Sequence, residues 1–160
     1  MTVLWITGPR AVGKSAVGWA VFSRLVTTTK AGYIDFAQIT FATPPLDAAA
    51  KARRVETVWR THREEGARHL IVSGEYADVL PEAEVCLLRA GHDELVTRLL
   101  MRGRGEGPTL PGDELRGRSE EDLRRLAVPA PEPGADLVID TDGRAVEEIA
   151  DEIVRRVFNA

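Results

Sequence analysis

Val3-Leu4-Trp5-Ile6-Thr7-Gly8-Pro9-Arg10-Ala11-Val12-Gly13-Lys14-Ser15 is the stretch on which the fold turns. The apolar residues that open it are consecutive rather than alternating, which predicts a strand buried on both faces of a parallel sheet. Beyond it Ala16, Val17, Ala20, Val21 and Leu25 recur at helical spacing and predict a helix from Lys14 to about Leu25. Gly8 to Ser15 reads G-x-x-x-x-G-K-S and lies between that strand and that helix, the context this motif requires. Gly8 and Gly13 permit the turn, main-chain N–H groups point inward, and the helix N-terminus adds a dipole that favours an anion.

Further apolar runs lie outward from this point: Tyr33-Ile34-Asp35-Phe36, His69-Leu70-Ile71-Val72-Ser73, Val85-Cys86-Leu87-Leu88 and Leu137-Val138-Ile139-Asp140. Helical patterns separate them, from about Leu46 to Glu65, from near His92, and in a last stripe of Val146, Ile149, Ala150, Ile153, Val154 and Val157. Strand alternating with helix means α/β. No repeat or low-complexity tract interrupts the order. At 160 residues, 44% of them apolar, the chain is expected to bury one core and to form a single domain over 1–160.

The formal charge of −4 argues against a partner bound through bulk positive charge, so nucleic acid is not the expected ligand beyond a local cleft. Cys86 is the single cysteine, and no Cys/His cluster has metal-ligand spacing, which excludes disulfide scaffolds and zinc modules and fits a reducing cytoplasm. Met1 to Thr7 is too short for a signal peptide or a membrane span, so a cytoplasmic location without a membrane partner is expected.

Lysine is scarce: only Lys14, Lys30 and Lys51 occur against eighteen arginines, and one of the three stands where phosphate chemistry needs it. By position Lys14 would reach the β- and γ-phosphates of a nucleoside triphosphate, and the Ser15 hydroxyl would bind Mg²⁺. A second acid often stands at the tip of the neighbouring strand, but the third strand here ends in Ser73. Asp140 has the local look of such an acid, yet the fourth strand would separate it from the loop. Asp35, ending the second strand, is the better candidate for general base or metal-water ligand; its plainer alternative is to cap the next turn. Glu75 and Tyr76 are weaker candidates for holding the acceptor or the metal, and Arg53 and Arg54 either enter an acceptor cleft or lie on a solvated face.

Gly103 to Gly117 is rich in glycine and proline and is bracketed by Arg102, Arg104, Arg116 and Arg118, which predicts a mobile arginine-bearing loop. Arg98 and Arg102 share a helix face. Arginines delivered by a closing loop would stabilise a transferring phosphoryl group; the alternative is solvated charge balanced by Glu106, Asp113 and Glu114. Pro129 to Gly134 reads as a connection into the fifth strand. His62, His69 and His92 are scattered, and Trp5, Trp19 and Trp59 read as packing residues.

With the loop, the strand ending in Asp35 and the arginine segment in place, the chain resembles the small P-loop kinases of the nucleoside monophosphate kinase-like group. Shikimate, gluconate and adenylylsulfate kinases and chloramphenicol phosphotransferase belong to that group. It is also similar to uncharacterised actinobacterial ATPase-like proteins that share the Leu4-Trp5-Ile6-Thr7-Gly8 opening and the Gly66-Ala67-Arg68 and Val72-Ser73-Gly74 segments. The resemblance implies a three-layer P-loop NTPase fold, a five-stranded parallel sheet in the order 2-3-1-4-5 and a lid over about 102–127. It implies ATP with Mg²⁺ and a small-molecule acceptor, in a monomer or homodimer. Nucleotide binding would fall to Gly8, Pro9, Arg10, Ala11, Val12, Gly13, Lys14, Ser15 and Ala16, with Arg98, Arg102, Asp142 and Gly143, the last two near the adenine. Lys14, Asp35, Arg102 and Arg104 would be catalytic, and Ser15 and Asp35 would hold the metal. Asp-x-Asp, usual in shikimate and gluconate kinases, is here Asp35-Phe36-Ala37, which counts against polyol acceptors of that kind. Two other readings stand beside a kinase with a small-molecule acceptor: a nucleotide-binding switch with little turnover, and a kinase acting on an RNA or nucleotide-sugar end.

Overall fold

A computed structural model describes residues 1–107, 115–129, 132 and 134–158. Pro108, Pro111, Gly112, Asp113 and Glu114 of the arginine-bearing segment, and Ala130, Pro131 and Pro133 of the later connection, lie outside the described residues.

Five strands, β1 (Thr2–Thr7), β2 (Ala31–Asp35), β3 (His69–Ser73), β4 (Ala83–Arg89) and β5 (Leu137–Asp140), form one parallel sheet in the order β2-β3-β1-β4-β5. The helices are α1 (Lys14–Leu25), α2 (Phe36–Thr40), α3 (Ala48–Glu64), α4 (His92–Gly103), α5 (Glu120–Arg125) and α6 (Val146–Ile153), the last continuing into a π-helical turn over Val154–Phe158. β1 is central, and its residues alternate between two cores. Leu4 and Ile6 pack with Val17, Val21, Leu99 and Ile153 on one face. Val3 and Trp5 pack with Ile34, Phe36, Val55 and Val72 on the other. Three layers result, and this is why the apolar runs are continuous: each strand is covered on both sides.

Three strands differ in their limits from the sequence expectation, β1 by starting one residue earlier, at Thr2. β2 starts earlier, at Ala31, and Phe36 leaves it to open α2, because the Asp35 side chain accepts the Gln38 N–H at 3.2 Å and so caps a new helix. β4 runs longer at both ends, paired to β1 and then to β5.

In register, Asp35 lies opposite Ser73, and Ser73 opposite Ile6. β1 therefore delivers the Gly8–Ser15 loop beside the carboxyl ends of β2 and β3, at the point where the sheet order reverses. Such a switch point opens a crevice outside the strand ends.

Candidate functional site

Steric demand fixes the loop. Gly8 has φ +151°, and a Cβ there would lie 2.5 Å from the Leu88 carbonyl oxygen on β4. Gly13, with φ +102°, begins α1 with no side-chain cap, so the first N–H groups of the helix are left for a ligand. Ala11 also takes positive φ, at 65°. Lys14 folds back over the loop, its Nζ donating to the carbonyls of Gly8 at 2.9 Å and Pro9 at 2.7 Å. Burial, then the nearby Arg10 and Arg102 charges, push its pKa down to about 8, with Glu75 and Asp35 partly opposing. A carbonyl-tethered, partly desolvated ammonium beside two guanidiniums suits a polyanion, whose arrival relieves the repulsion.

Ser15 opens α1 and donates from Oγ to Asp35 Oδ2 at 2.8 Å, while Asp35 Oδ1 caps α2. The capping reading of Asp35 is therefore observed through one oxygen, while the other oxygen meets the Ser15 hydroxyl. A hydroxyl and a carboxylate oxygen side by side are hard donors that fit Mg²⁺, which takes one or two protein oxygens and completes its shell with water and phosphate. Among the described residues no group of three or more His, Cys, Asp or Glu could hold a metal ion.

Ser73 is fully buried, and its hydroxyl shares a 2.8 Å hydrogen bond with that of Tyr33; Tyr33 Oη also lies 3.4 Å from the Ser15 carbonyl oxygen. A Cβ placed on Gly18 of α1 would come within 3.0 Å of Ser73 Cβ. Helix α1 thus packs close on the tip of β3, which leaves little room for a longer acid at that position. The part Tyr33 plays here is not visible in sequence, where it reads as one more strand residue. Asp140 ends β5, beyond β4 from the loop, and is ion-paired with Arg89 at 3.1 Å.

The arginines separate into distinct roles. Arg98 donates to the Val12 carbonyl at 3.1 Å, to Thr141 Oγ1 at 3.2 Å and to the Thr141 carbonyl at 3.4 Å, and is held by Glu94 at 2.9 Å. It ties the loop to the segment after β5. Arg102 lies near enough to Lys14 to lower its pKa. Arg104 is ion-paired with Glu106 at 2.8 Å on the surface. Arg116 grips the start of the arginine-bearing segment by donating to the carbonyls of Gly105 and Gly107 at 2.9 and 3.0 Å. Asp142 takes the Gly91 N–H with both oxygens at 3.0 Å, and Gly143 turns the chain at φ +67°. Ala16 lies in the first turn of α1.

Two cavities flank this centre. One, of about 640 Å³, is lined by Gly8, Pro9, Arg10 and Lys14 of the loop, by Glu75 and Tyr76 beyond β3, and by Leu126, Val128, Pro129 and Glu132. That Leu126, Val128, Pro129 and Glu132 line this cavity is not visible in the sequence, where Pro129 to Gly134 reads only as a connection. The other, of about 650 Å³, lies between α2 and α3, where Arg53 and Arg54 stand over Ile39, Leu46 and Val58. Arg54 also donates to the Ile39 carbonyl at 3.0 Å. Those two arginines therefore face a cavity, though not the one at the loop. The histidines take no part: the His62 ring packs on Gly32, His69 on Phe158, and His92 Nδ1 lies 3.2 Å from the Ala127 carbonyl. Trp5 is core, whereas Trp19 is 56% exposed against Phe22 and Tyr33. No described helix is long and apolar enough to cross a membrane.

No protein-family model matches the chain, and no curated protein matches it in sequence. Solved structures match it along nearly its whole length. The APS kinase of Mycobacterium tuberculosis, solved with AMPPNP and APS, gives a TM-score of 0.64 at 16% identity, over 99% of this chain and 98% of that one. The tunicamycin resistance protein of Deinococcus radiodurans gives 0.60 at 18%, over 98% and 95%. Shikimate kinase from Acinetobacter baumannii, solved with shikimate, gives 0.53 at 15%, over 99% and 94%. The chain has the fold of the small P-loop kinases, with the sheet order and the glycine-bounded loop of that fold in place.

Proposed function

We propose that this protein is an ATP- and Mg²⁺-dependent phosphotransferase acting on a small-molecule acceptor. The observation that carries the reading is the convergence of Lys14, Ser15 and Asp35 beside a cavity of about 640 Å³ that the loop itself lines. Residues Gly8 to Ala16 wrap the triphosphate with main-chain amides, and Lys14 leaves its two carbonyls for the β- and γ-phosphates. Ser15 and Asp35 would hold Mg²⁺, which would supply positive charge to offset the negative charge developing on the phosphates. Arg98 keeps the loop and the Thr141–Gly143 segment together, so that Asp142 and Gly143 flank the base. The acceptor hydroxyl oxygen attacks the γ-phosphorus in line; the new O–P bond forms as the β–γ bridging bond breaks and its electron pair leaves with ADP. The hydroxyl proton passes to Asp35 or to water. Residues 1–160 act as one domain, and the segment 102–127 closes as a lid that brings Arg102 and Arg104 to the transferring group.

Ser73 in place of a second acid favours one other reading, a nucleotide switch that turns over slowly. Measuring ADP release from ATP with and without acceptors separates the two. Acceptor-stimulated release that disappears in Lys14→Ala supports the phosphotransferase; binding without stimulation by any acceptor supports the switch. Unchanged nucleotide affinity in Lys14→Ala overturns both.

A further inference from the structure

We propose that the acceptor is an amino alcohol whose ammonium is held between Glu75 and Glu132 while one hydroxyl faces the loop end of the cavity; this rests on the phosphotransferase reading above. The cavity is lined by charges of both signs. Arg10 and Lys14 stand on the loop, where the triphosphate takes them up. What remains for a second ligand is two carboxylates, the ring of Tyr76 and the apolar side chains of Leu126, Val128 and Pro129. Among the described residues neither Glu75 nor Glu132 makes a hydrogen bond or an ion pair; Glu75 feels the Lys14 charge and Glu132 that of Arg89, and a triphosphate that engages Lys14 leaves Glu75 to the second ligand. Tyr76 is fixed by its edge contact with Trp5, ring centroids 5.5 Å apart. An aromatic face and two carboxylates attract an ammonium and repel a carboxylate or phosphate. An acceptor bearing an anion would instead be drawn to the α2–α3 cavity, where the charges are those of Arg53 and Arg54. The transfer is the one written above: the hydroxyl takes the phosphoryl group, ADP leaves, and the ammonium is unchanged.

The test uses matched probes with ATP and Mg²⁺: serinol, glycerol and glycerate, and glucosamine, glucose and glucuronate. Each trio keeps its carbon skeleton and changes the charge. The expected result is that the ammonium member of at least one trio has a kcat/KM about tenfold or more above its neutral partner and that the anionic member is the poorest. Replacing Glu75→Gln together with Glu132→Gln should bring ammonium and neutral members within about threefold of each other. The same order should appear as binding affinity by calorimetry in the presence of a non-hydrolysable ATP analogue. Equal use of all members, preference for the anionic one, or no use and no binding of any member while the nucleotide binds, each overturns the ammonium assignment alone. Failure to bind nucleotide at all overturns the phosphotransferase reading beneath it.

Discussion

Ser15 Oγ, on the first turn of α1, donates at 2.8 Å to Asp35 Oδ2, the last residue of β2, although the two are twenty positions apart in the chain. The other Asp35 oxygen is already spent on the N-cap of α2. One side chain thus joins the loop helix to the start of the α2–α3 segment, and its two oxygens can be tested separately.

Asp35→Asn should keep the fold, because Asn caps a helix as well as Asp does, but lose the carboxylate. Phosphoryl transfer should fall by about 10² to 10⁴, the usual worth of a positioned base, with the urea midpoint little changed. Asp35→Ala should lose the same activity and also about 1 kcal/mol of stability through the missing cap. Transfer at the wild-type rate in Asp35→Asn would remove the residue from the chemistry.

The strands and the loop were legible because a sheet covered on both faces leaves consecutive apolar residues, and because the phosphate cradle needs fixed spacing between Gly8 and Lys14. Other parts were not. α2 is five residues long, too short for a periodic signal, and it exists because Asp35 caps it. Leu126, Val128, Pro129 and Glu132 come to line a cavity with Gly8 and Lys14 only in three dimensions. Helical spacing placed Arg98 on a face but could not reveal that its guanidinium grips the Val12 carbonyl, since backbone acceptors leave no mark in sequence. The surface ion pair of Arg104 with Glu106 is likewise invisible to helical spacing, because it depends on the turn that ends α4.

Nucleotide binding should weaken at alkaline pH. Lys14 is lowered from 10.5 to about 8, so above pH 8 the free protein increasingly carries it neutral. A bound triphosphate favours the charged form and raises that pKa, so binding near pH 8 to 9 should take up a proton. Affinity should be flat below about pH 7.5 and fall by up to tenfold per pH unit above 8. Calorimetry in buffers of different ionisation enthalpy reads the proton directly. Arg102→Ala, which removes a repelling charge, should move the fall to higher pH.

Gly8→Ala should cost at least ~2 kcal/mol, since it places a methyl group 2.5 Å from the Leu88 carbonyl at a φ of +151°. At Gly13 a methyl group meets nothing within 4 Å, so Gly13→Ala carries only the backbone strain of φ +102° and should cost about 1–2 kcal/mol. Urea denaturation of the two variants should rank them in that order.

The Tyr33–Ser73 pair makes the last prediction, because it occupies the place where a second acid would stand. Ser73 is fully buried, and the Tyr33 hydroxyl at 2.8 Å is the partner its own hydroxyl has. Tyr33→Phe should strand that group at a cost of about 1–3 kcal/mol, the penalty for a buried hydroxyl left unpaired. Ser73→Ala should cost less, since the Tyr33 hydroxyl keeps its 3.4 Å approach to the Ser15 carbonyl. The double variant removes both polar groups and should be no worse than Tyr33→Phe alone, giving a coupling of about 1 kcal/mol in a double-mutant cycle. Strictly additive losses would show that the two hydroxyls act independently. Because Tyr33 also reaches the backbone of Ser15, Tyr33→Phe should further weaken nucleotide affinity, while Ser73→Ala should not. That contrast distinguishes a residue that positions the loop from one that only fills the strand end.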